Sequence, residues 1–382
     1  MKILHTADWH LGKLVHQLHM TEDQAYVLNR IRALIIEEQP DVIIIAGDLY
    51  DRAVPPKEAV ELLNNTLTEM IFDLGIPVLA ITGNHDSSDR LHFGSEMFRR
   101  QQLYLQTHIE GCTTPVTLQD EFGSVHFYLI PYMEPADARR AFEDDAIVTH
   151  HQAMEAVLTN IQATMNEQDR HVLIGHAFLA GGMESESEER LSMVGGTPYI
   201  DVDLFSAFDY VALGHLHQPQ RVKHEHIRYA GSILKYSFSE ANHKKSVTMV
   251  TLNGSGIDRI EQHPLSPKRD MIVKEGYLQE FLEGEDAGSE DYVHIKLLDE
   301  GQLLDPMGKL RKVYPNALSL ERVGFLGNTT DTVRHIQERK KMSHLDLFQS
   351  FYENVKGKEM DENRREYIAE VIQSLMKEER DQ

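Results

Sequence analysis

Cysteine is almost absent from this chain. Cys112 is alone among 382 residues, so no disulfide can form within it and a thiolate-built zinc site is excluded. Long apolar runs are missing too, and nothing approaches the roughly 18 residues that a membrane-crossing helix needs. The first residues, MKILHTADWH, meet an acid at Asp8 and lack the apolar stretch of a signal peptide, so a cytoplasmic protein is expected. Positive charge is scarce: 38 Lys and Arg face 61 Asp and Glu, for a net charge of −23. That argues against a surface made to grip nucleic acid, where affinity comes from cations on phosphates. The imbalance is uneven. Residues 1–264 hold 20 basic and 37 acidic residues, net −17, and residues 265–382 hold 18 and 24, net −6. Bound cations would offset only part of it.

What remains is an ordinary globular composition, 41% hydrophobic and 26% charged. The length exceeds one compact core and predicts two or three domains. Short apolar runs read as buried strands at 2–7, 42–48, 78–84, 125–131, 171–176 and 210–215, with a late strand at 246–252. Helical patterns at 21–38 and 56–73 separate the first three, the second opening on Pro55-Pro56. Strand–helix alternation predicts an α/β core. The acidic, glycine-rich segment 178–206 reads as a loop. A proline-containing linker is expected near 263–271, then a small α+β unit with a strand in DYVHIKLL. Residues 344–379 read as two amphipathic helices broken at Gly357.

Five strand readings end alike. Just past the apolar run stand Asp8-Trp9-His10, Gly47-Asp48, Gly83-Asn84-His85-Asp86, Gly175-His176 and Gly214-His215-Leu216-His217. Ligands of α/β sheets bind outside the carboxyl ends of strands, so these ends are expected to converge. Each alone has a plain reading: Asp-x-His as a cap, Gly-Asn as a turn. Five in order do not. Asp8, His10, Asp48, Asn84, His176, His215 and His217 are too many ligands for one ion and suit two that share a carboxylate, about 3.5–4 Å apart. A mixed Asp, Asn and His set suits manganese, iron or zinc over calcium. Two dications against two aspartates leave a surplus near +2 for a phosphate. Asn84 preserves that surplus by giving oxygen without charge.

The order D-x-H, G-D, G-N-H-D, G-H, G-H-x-H resembles the calcineurin-like metallophosphoesterases. The resemblance implies a four-layer α-β-β-α sandwich with a small α+β capping domain and a C-terminal helical pair. It also implies that Asp8, His10, Asp48 and His217 hold one metal, and that Asp48, Asn84, His176 and His215 hold the other. His85 would serve the leaving group, and Asp86 would orient it or, on an equal reading of the residues, cap the turn. HTADWHLGK, AGDLYDR, ITGNHDS, LGHLHQPQ and YAGSILKYSFSE look like segments of the bacterial double-strand-break repair nucleases in that family. Asp51 stands where relatives outside bacteria carry a second histidine, which leaves His85 as the main residue for leaving-group work. The implied activity is manganese-dependent hydrolysis of DNA, as exonuclease and hairpin or single-strand endonuclease, beside a partner ATPase and the nucleoid. The implied division is a nuclease domain at 1–264, a DNA-binding cap at 265–335 and an ATPase-docking helix pair at 336–382, with dimerisation through helices near 56–73 and 89–100. Lys13, Arg52, Arg90 and Lys235 are expected to line a DNA track. A small-nucleotide or phosphoprotein phosphoesterase, and a non-catalytic scaffold, are the competing readings.

Overall fold

The computed structural model describes residues 1–188, 199–284 and 288–323, together with Tyr352, Arg364, Arg365 and Ile368. The expected C-terminal helix pair, and the part of the acidic loop at 189–198, lie outside these residues.

Two six-stranded sheets form the centre. In the first, Lys2–Thr6, Val42–Ala46, Val78–Ile81 and Leu103–Gln106 run parallel. Ser246–Asn253 and Gly256–Pro264 extend it antiparallel beyond Lys2–Thr6. The late strand therefore closes the first sheet against the chain's first strand. In the second, His224–Tyr229, Tyr210–Gly214, Arg170–His176 and Gly123–Ile130 run parallel. Antiparallel Gln220–Val222 and Val116–Asp120 bound its two edges.

Burial explains the layering. Val42–Ala46 and Arg170–His176 are buried at every position, as strands covered on both faces must be. Ile3, Ile44, Leu79 and Ile81 of one sheet pack against Phe127, Leu129, Val172 and Ile174 of the other. The outer face of the first sheet is covered by helices Thr21–Glu38 and Lys57–Thr68, through Val27, Ile31, Ile35 and Leu63. The outer face of the second is covered by Pro135–Phe142 and His150–Gln162, through Ala153, Val157 and Ile161. The His150–Gln162 helix starts on a Thr149/Gln152 capping box, with Thr149 Oγ1 accepting from the Gln152 amide at 3.1 Å. The result is the four-layer sandwich. Among the described residues no helix is long and apolar enough to cross a membrane.

A separate sheet of three parallel strands, Met271–Gly276, Tyr292–Leu297 and Ala317–Arg322, follows. It packs with short helices Leu278–Glu283 and Pro306–Leu310 around Phe281, Val293, Ile295 and Tyr314. It is tied to the core through Asp23 near the start of the first helix. That fully buried carboxylate accepts two bonds of 2.9 Å from Arg269 and one of 2.7 Å from the Tyr292 hydroxyl. The next residue, Gln24, donates to the backbone carbonyls of Trp9 and His10 and accepts from the Gly12 amide. One helix start thus fixes both the third sheet and the first ligand-bearing loop.

Candidate metal centre

The strand ends of both sheets meet at one edge, and backbone pairing continues past the strands to hold them there. Asp8 N donates to the Gly47 carbonyl at 3.1 Å and His10 N to that of Asp48 at 2.9 Å. Asp8, His10, Asp48 and His215 all have positive φ, at 52°, 46°, 51° and 104°. Non-glycine residues in this region carry strain that surrounding structure must hold, and such residues cluster at functional sites. Two glycines make the crowding possible. Gly47 has φ 89°, and a Cβ on it would collide with the His176 ring; one on Gly83 would collide with the Asp48 carboxylate.

Each aspartate is split between backbone and site. Asp8 Oδ1 accepts from the His215 amide at 2.8 Å, and its Oδ2 is buried with no hydrogen-bond partner. Asp48 Oδ1 accepts from the His85 amide at 3.0 Å, while its Oδ2 faces His176 Nε2 at 3.3 Å and His10 Nε2 at 3.5 Å. Asn84 Oδ1 lies 3.0 Å from His176 Nε2 and 3.2 Å from His215 Nδ1. His10 and His217 point their Nε2 atoms at each other across 3.1 Å, an approach that needs a proton or a cation between the two lone pairs. Ligand atoms of Asp8, Asp48 and His176 fall within 4.8 Å of one another, as do those of His10, Asp51 and His85. The seven residues singled out in the sequence are therefore brought together, with Asp48 between a His10–His217 side and an Asn84–His176–His215 side.

Two of the imidazoles, His176 and His217, are pre-oriented as metal-ligating histidines are. His176 Nδ1 donates to the Ala46 carbonyl at 2.9 Å, leaving Nε2 toward the site. His217 Nδ1 faces Glu240 Oε1 at 3.2 Å and the Ser187 hydroxyl at 2.9 Å. Glu240 is itself buried and paired with buried Lys245 at 2.5 Å. Burial alone would raise the Glu240 carboxyl, but Lys245 and His217 outweigh it and hold it well below the usual range. Lys245 also donates to the His217 carbonyl at 2.7 Å, and Glu188 accepts from the His217 amide at 2.8 Å. Glu240, Ser187 and Glu188 are not legible in the sequence as site residues, because nothing in their spacing ties them to His217.

Electrostatically the centre is short of positive charge. Burial pushes the Asp8 carboxyl up to about 7 against the pull of His176 and His217. Burial also drives His215 down to about 3 and holds His10 well below its usual value. His176 goes the other way: burial lowers it, but Asp48 and Asp8 prevail and raise it to about 9. A protonated His176 beside Asp48 is what such a centre does without a cation. A bound dication would invert this balance. The orphaned Asp8 oxygen, the opposed Nε2 atoms and the mixed oxygen and nitrogen donors all fit divalent metal ions.

His85 stands at the rim. Its ring packs edge-on to His10 at 4.8 Å, and Nδ1 donates to the Asp51 carbonyl at 2.9 Å. Asp86 takes up the turn-capping role. Its carboxylate accepts from the backbone amides of Gly83, Leu49 and Tyr50 at 2.9, 3.1 and 2.9 Å, so it caps the turn and ties two strand ends together. Burial, then the charge of Asp48, raises its carboxyl to about 7.

Two of the basic residues expected along a DNA track have local acidic partners. Lys235 pairs with Asp270 at 2.9 Å and donates to the Ala241 carbonyl, holding the start of the third sheet. Lys13 pairs with Asp51 at 2.6 Å and lies over the Tyr236 ring. Arg52 and Arg90 are exposed.

Comparison with known proteins agrees with this geometry. Residues 1–219 match the calcineurin-like phosphoesterase family, and residues 267–356 match the type 5 capsule protein repressor C-terminal domain. The chain is 37% identical over 381 residues to SbcD of the SbcCD nuclease from Staphylococcus saprophyticus, covering 99% of both chains. It is 35% identical over 378 residues to the SbcD of Staphylococcus epidermidis, covering 98% of this chain and 99% of the relative.

Proposed function

The chain belongs to the calcineurin-like phosphoesterases, within the SbcD nucleases, and from that premise we propose that it hydrolyses DNA phosphodiester bonds with divalent metal ions and works with the SbcC ATPase. The observation that supports this most is the convergence of seven ligand-type side chains from both sheets, one of them with an unpaired buried oxygen.

Asp8, His10, Asp48 and His217 would hold one ion, and Asp48, Asn84, His176 and His215 the other, with Asp48 shared. Manganese suits this donor set. When bound, such ions neutralise phosphate charge and supply an activated water. The protein's own part is orientation and proton handling. Asp8 and Asp48 are aimed by the backbone amides of His215 and His85. His176 is fixed by the Ala46 carbonyl and His217 by Glu240. With Nδ1–H engaged by the Asp51 carbonyl, His85 in its doubly protonated form presents Nε2–H to the leaving oxygen as donor or acid.

The remaining assignments extend this reading. Residues 1–264 serve as the nuclease domain, 265–335 as a DNA-contacting cap and 336–382 as the SbcC-docking element. An apolar groove of about 650 Å³ beside helix Lys57–Thr68, with Phe72 63% and Phe93 81% exposed, supports a homodimer on that face. A cytoplasmic location follows from DNA as substrate. The charge of −23 implies weak DNA binding by this chain alone, with SbcC supplying further affinity. The test is cleavage of a hairpin-ended duplex with manganese, with and without SbcC. The reading expects cleavage that a chelator abolishes and the partner stimulates; no cleavage under either condition would refute it.

A further inference from the structure

The cleft between the core and the third sheet carries an aromatic cluster that the metal centre does not use. A short hairpin, Leu14–Val15 paired with Leu18–His19, turns on His16 and Gln17 with φ of 47° and 70°. A two-residue turn with both residues left-handed is one that Asn-Gly makes without strain, so His16 is held there against its preference. The turn brings His16 to Phe238, ring centroids 5.5 Å apart. His294, on the middle strand of the third sheet, meets the same Phe238 ring at 5.3 Å. Three rings from three separate parts of the chain thus meet at the mouth of a cleft of about 550 Å³, a size typical of small-ligand sites.

The chemistry of the lining narrows the occupant. Glu186 and Glu321 line the cleft with a single lysine, Lys296, and Glu321 faces both Lys296 at 3.8 Å and His294 at 3.4 Å, so the cleft is poorly suited to a phosphate. Ser237, Ser239 and Ser319 offer hydroxyls, and His294 Nδ1 is buried without a hydrogen-bond partner. Flat rings with donors and acceptors around them fit a flat, uncharged ligand with polar edges. Tyr236, which also lines the cleft, packs edge-on against His10 at 5.6 Å and His217 at 5.9 Å. The cleft therefore begins one ring away from the ligand set.

We propose that this cleft is a stacking subsite for an unpaired nucleobase neighbouring the phosphate at the metal centre. The proposal rests on the nuclease reading above. Stacking on aromatic faces tolerates any base and contributes strongly to single-strand binding, so the subsite would favour frayed or single-stranded ends without imposing sequence.

The test uses the full-length chain, manganese and a single-stranded oligonucleotide scanned with one abasic position at a time. His16→Ala removes an exposed ring, and Phe238→Leu keeps bulk while removing the π face. Each is expected to raise KM for the oligonucleotide about fivefold or more. One abasic position should raise the wild-type KM by a similar factor and leave the KM of Phe238→Leu unchanged. No sensitive abasic position, or equal abasic penalties in wild type and both variants, overturns the subsite. Wild-type hydrolysis of bis(p-nitrophenyl) phosphate separates the two readings. If it fails together with the oligonucleotide, the phosphodiesterase reading is overturned and the subsite with it; if it proceeds, the abasic comparison decides.

Discussion

At the shared edge, the first sheet delivers the oxygen donors Asp8, Asp48 and Asn84, with His10 and His85 beside them, while the second delivers imidazoles only: His176, His215 and His217. Each set is costly to bury alone. Carboxylates resist desolvation by taking up protons, as the raised Asp8 does, and imidazoles by giving them up, as the lowered His215 does. Set face to face, with the outer polar atoms of Asp8, Asp48, His176 and His217 already engaged by backbone amides, a carbonyl and Glu240, they leave inward lone pairs that cations can satisfy. The centre is thus a property of the seam, and neither sheet carries it by itself.

Breaking the link between the halves should have the largest effect. Asp48→Asn removes the charge that lies between His10 and His176, and kcat/KM on DNA should fall roughly a thousandfold, the equivalent of about 4 kcal/mol. His85→Ala removes none of the seven ligand side chains, although its ring packs against His10. It should lower kcat by on the order of a hundredfold or more, while isothermal titration finds metal affinity close to wild type. Equal loss of metal in both variants would place His85 among the ligands.

Smaller effects sharpen the comparison from the imidazole side. Glu240→Gln keeps the shape beside His217 but weakens its hold on the ring, and should cost about 10–100-fold in affinity for one ion, seen as a split in the titration curve. The last effect is on pH. His176, raised to about 9 in the metal-free chain, adds stability that is full below its ordinary value near 6.5 and is lost as pH rises through about 9. The melting temperature of the metal-free chain should fall over that window, and His176→Gln should flatten the fall. Metal must displace the same proton, so affinity should rise with pH, checked by titration in buffers of different ionisation enthalpy.

The sequence made parts of this legible for physical reasons. Helix Thr21–Glu38 and the runs Val42–Ala46 and Arg170–His176 announce themselves because strands buried on both faces are continuously apolar and the helix repeats its buried face. The five strand-end motifs were legible because ligand residues stand directly after apolar runs, four of them next to a turn glycine. Edge strands were not: Val116–Asp120 has a single buried position, and Gln220–Val222 has three residues, so long-range pairing, invisible in one sequence, decides them. Roles set across the chain were hidden as well. The Asp86 carboxylate caps amides from two strand ends, Lys235 pairs with Asp270, 35 positions away, and Glu240 supports His217 from 23 positions away.

The most direct test of the seam is the number of ions it holds. Metal-depleted chain, equilibrated with manganese and counted by elemental analysis and electron paramagnetic resonance, should bind two magnetically coupled ions per chain, and Asp48→Asn should lose that coupling. One ion per chain in the wild type, or two coupled ions that survive Asp48→Asn, would contradict a centre shared between the two sheets through Asp48.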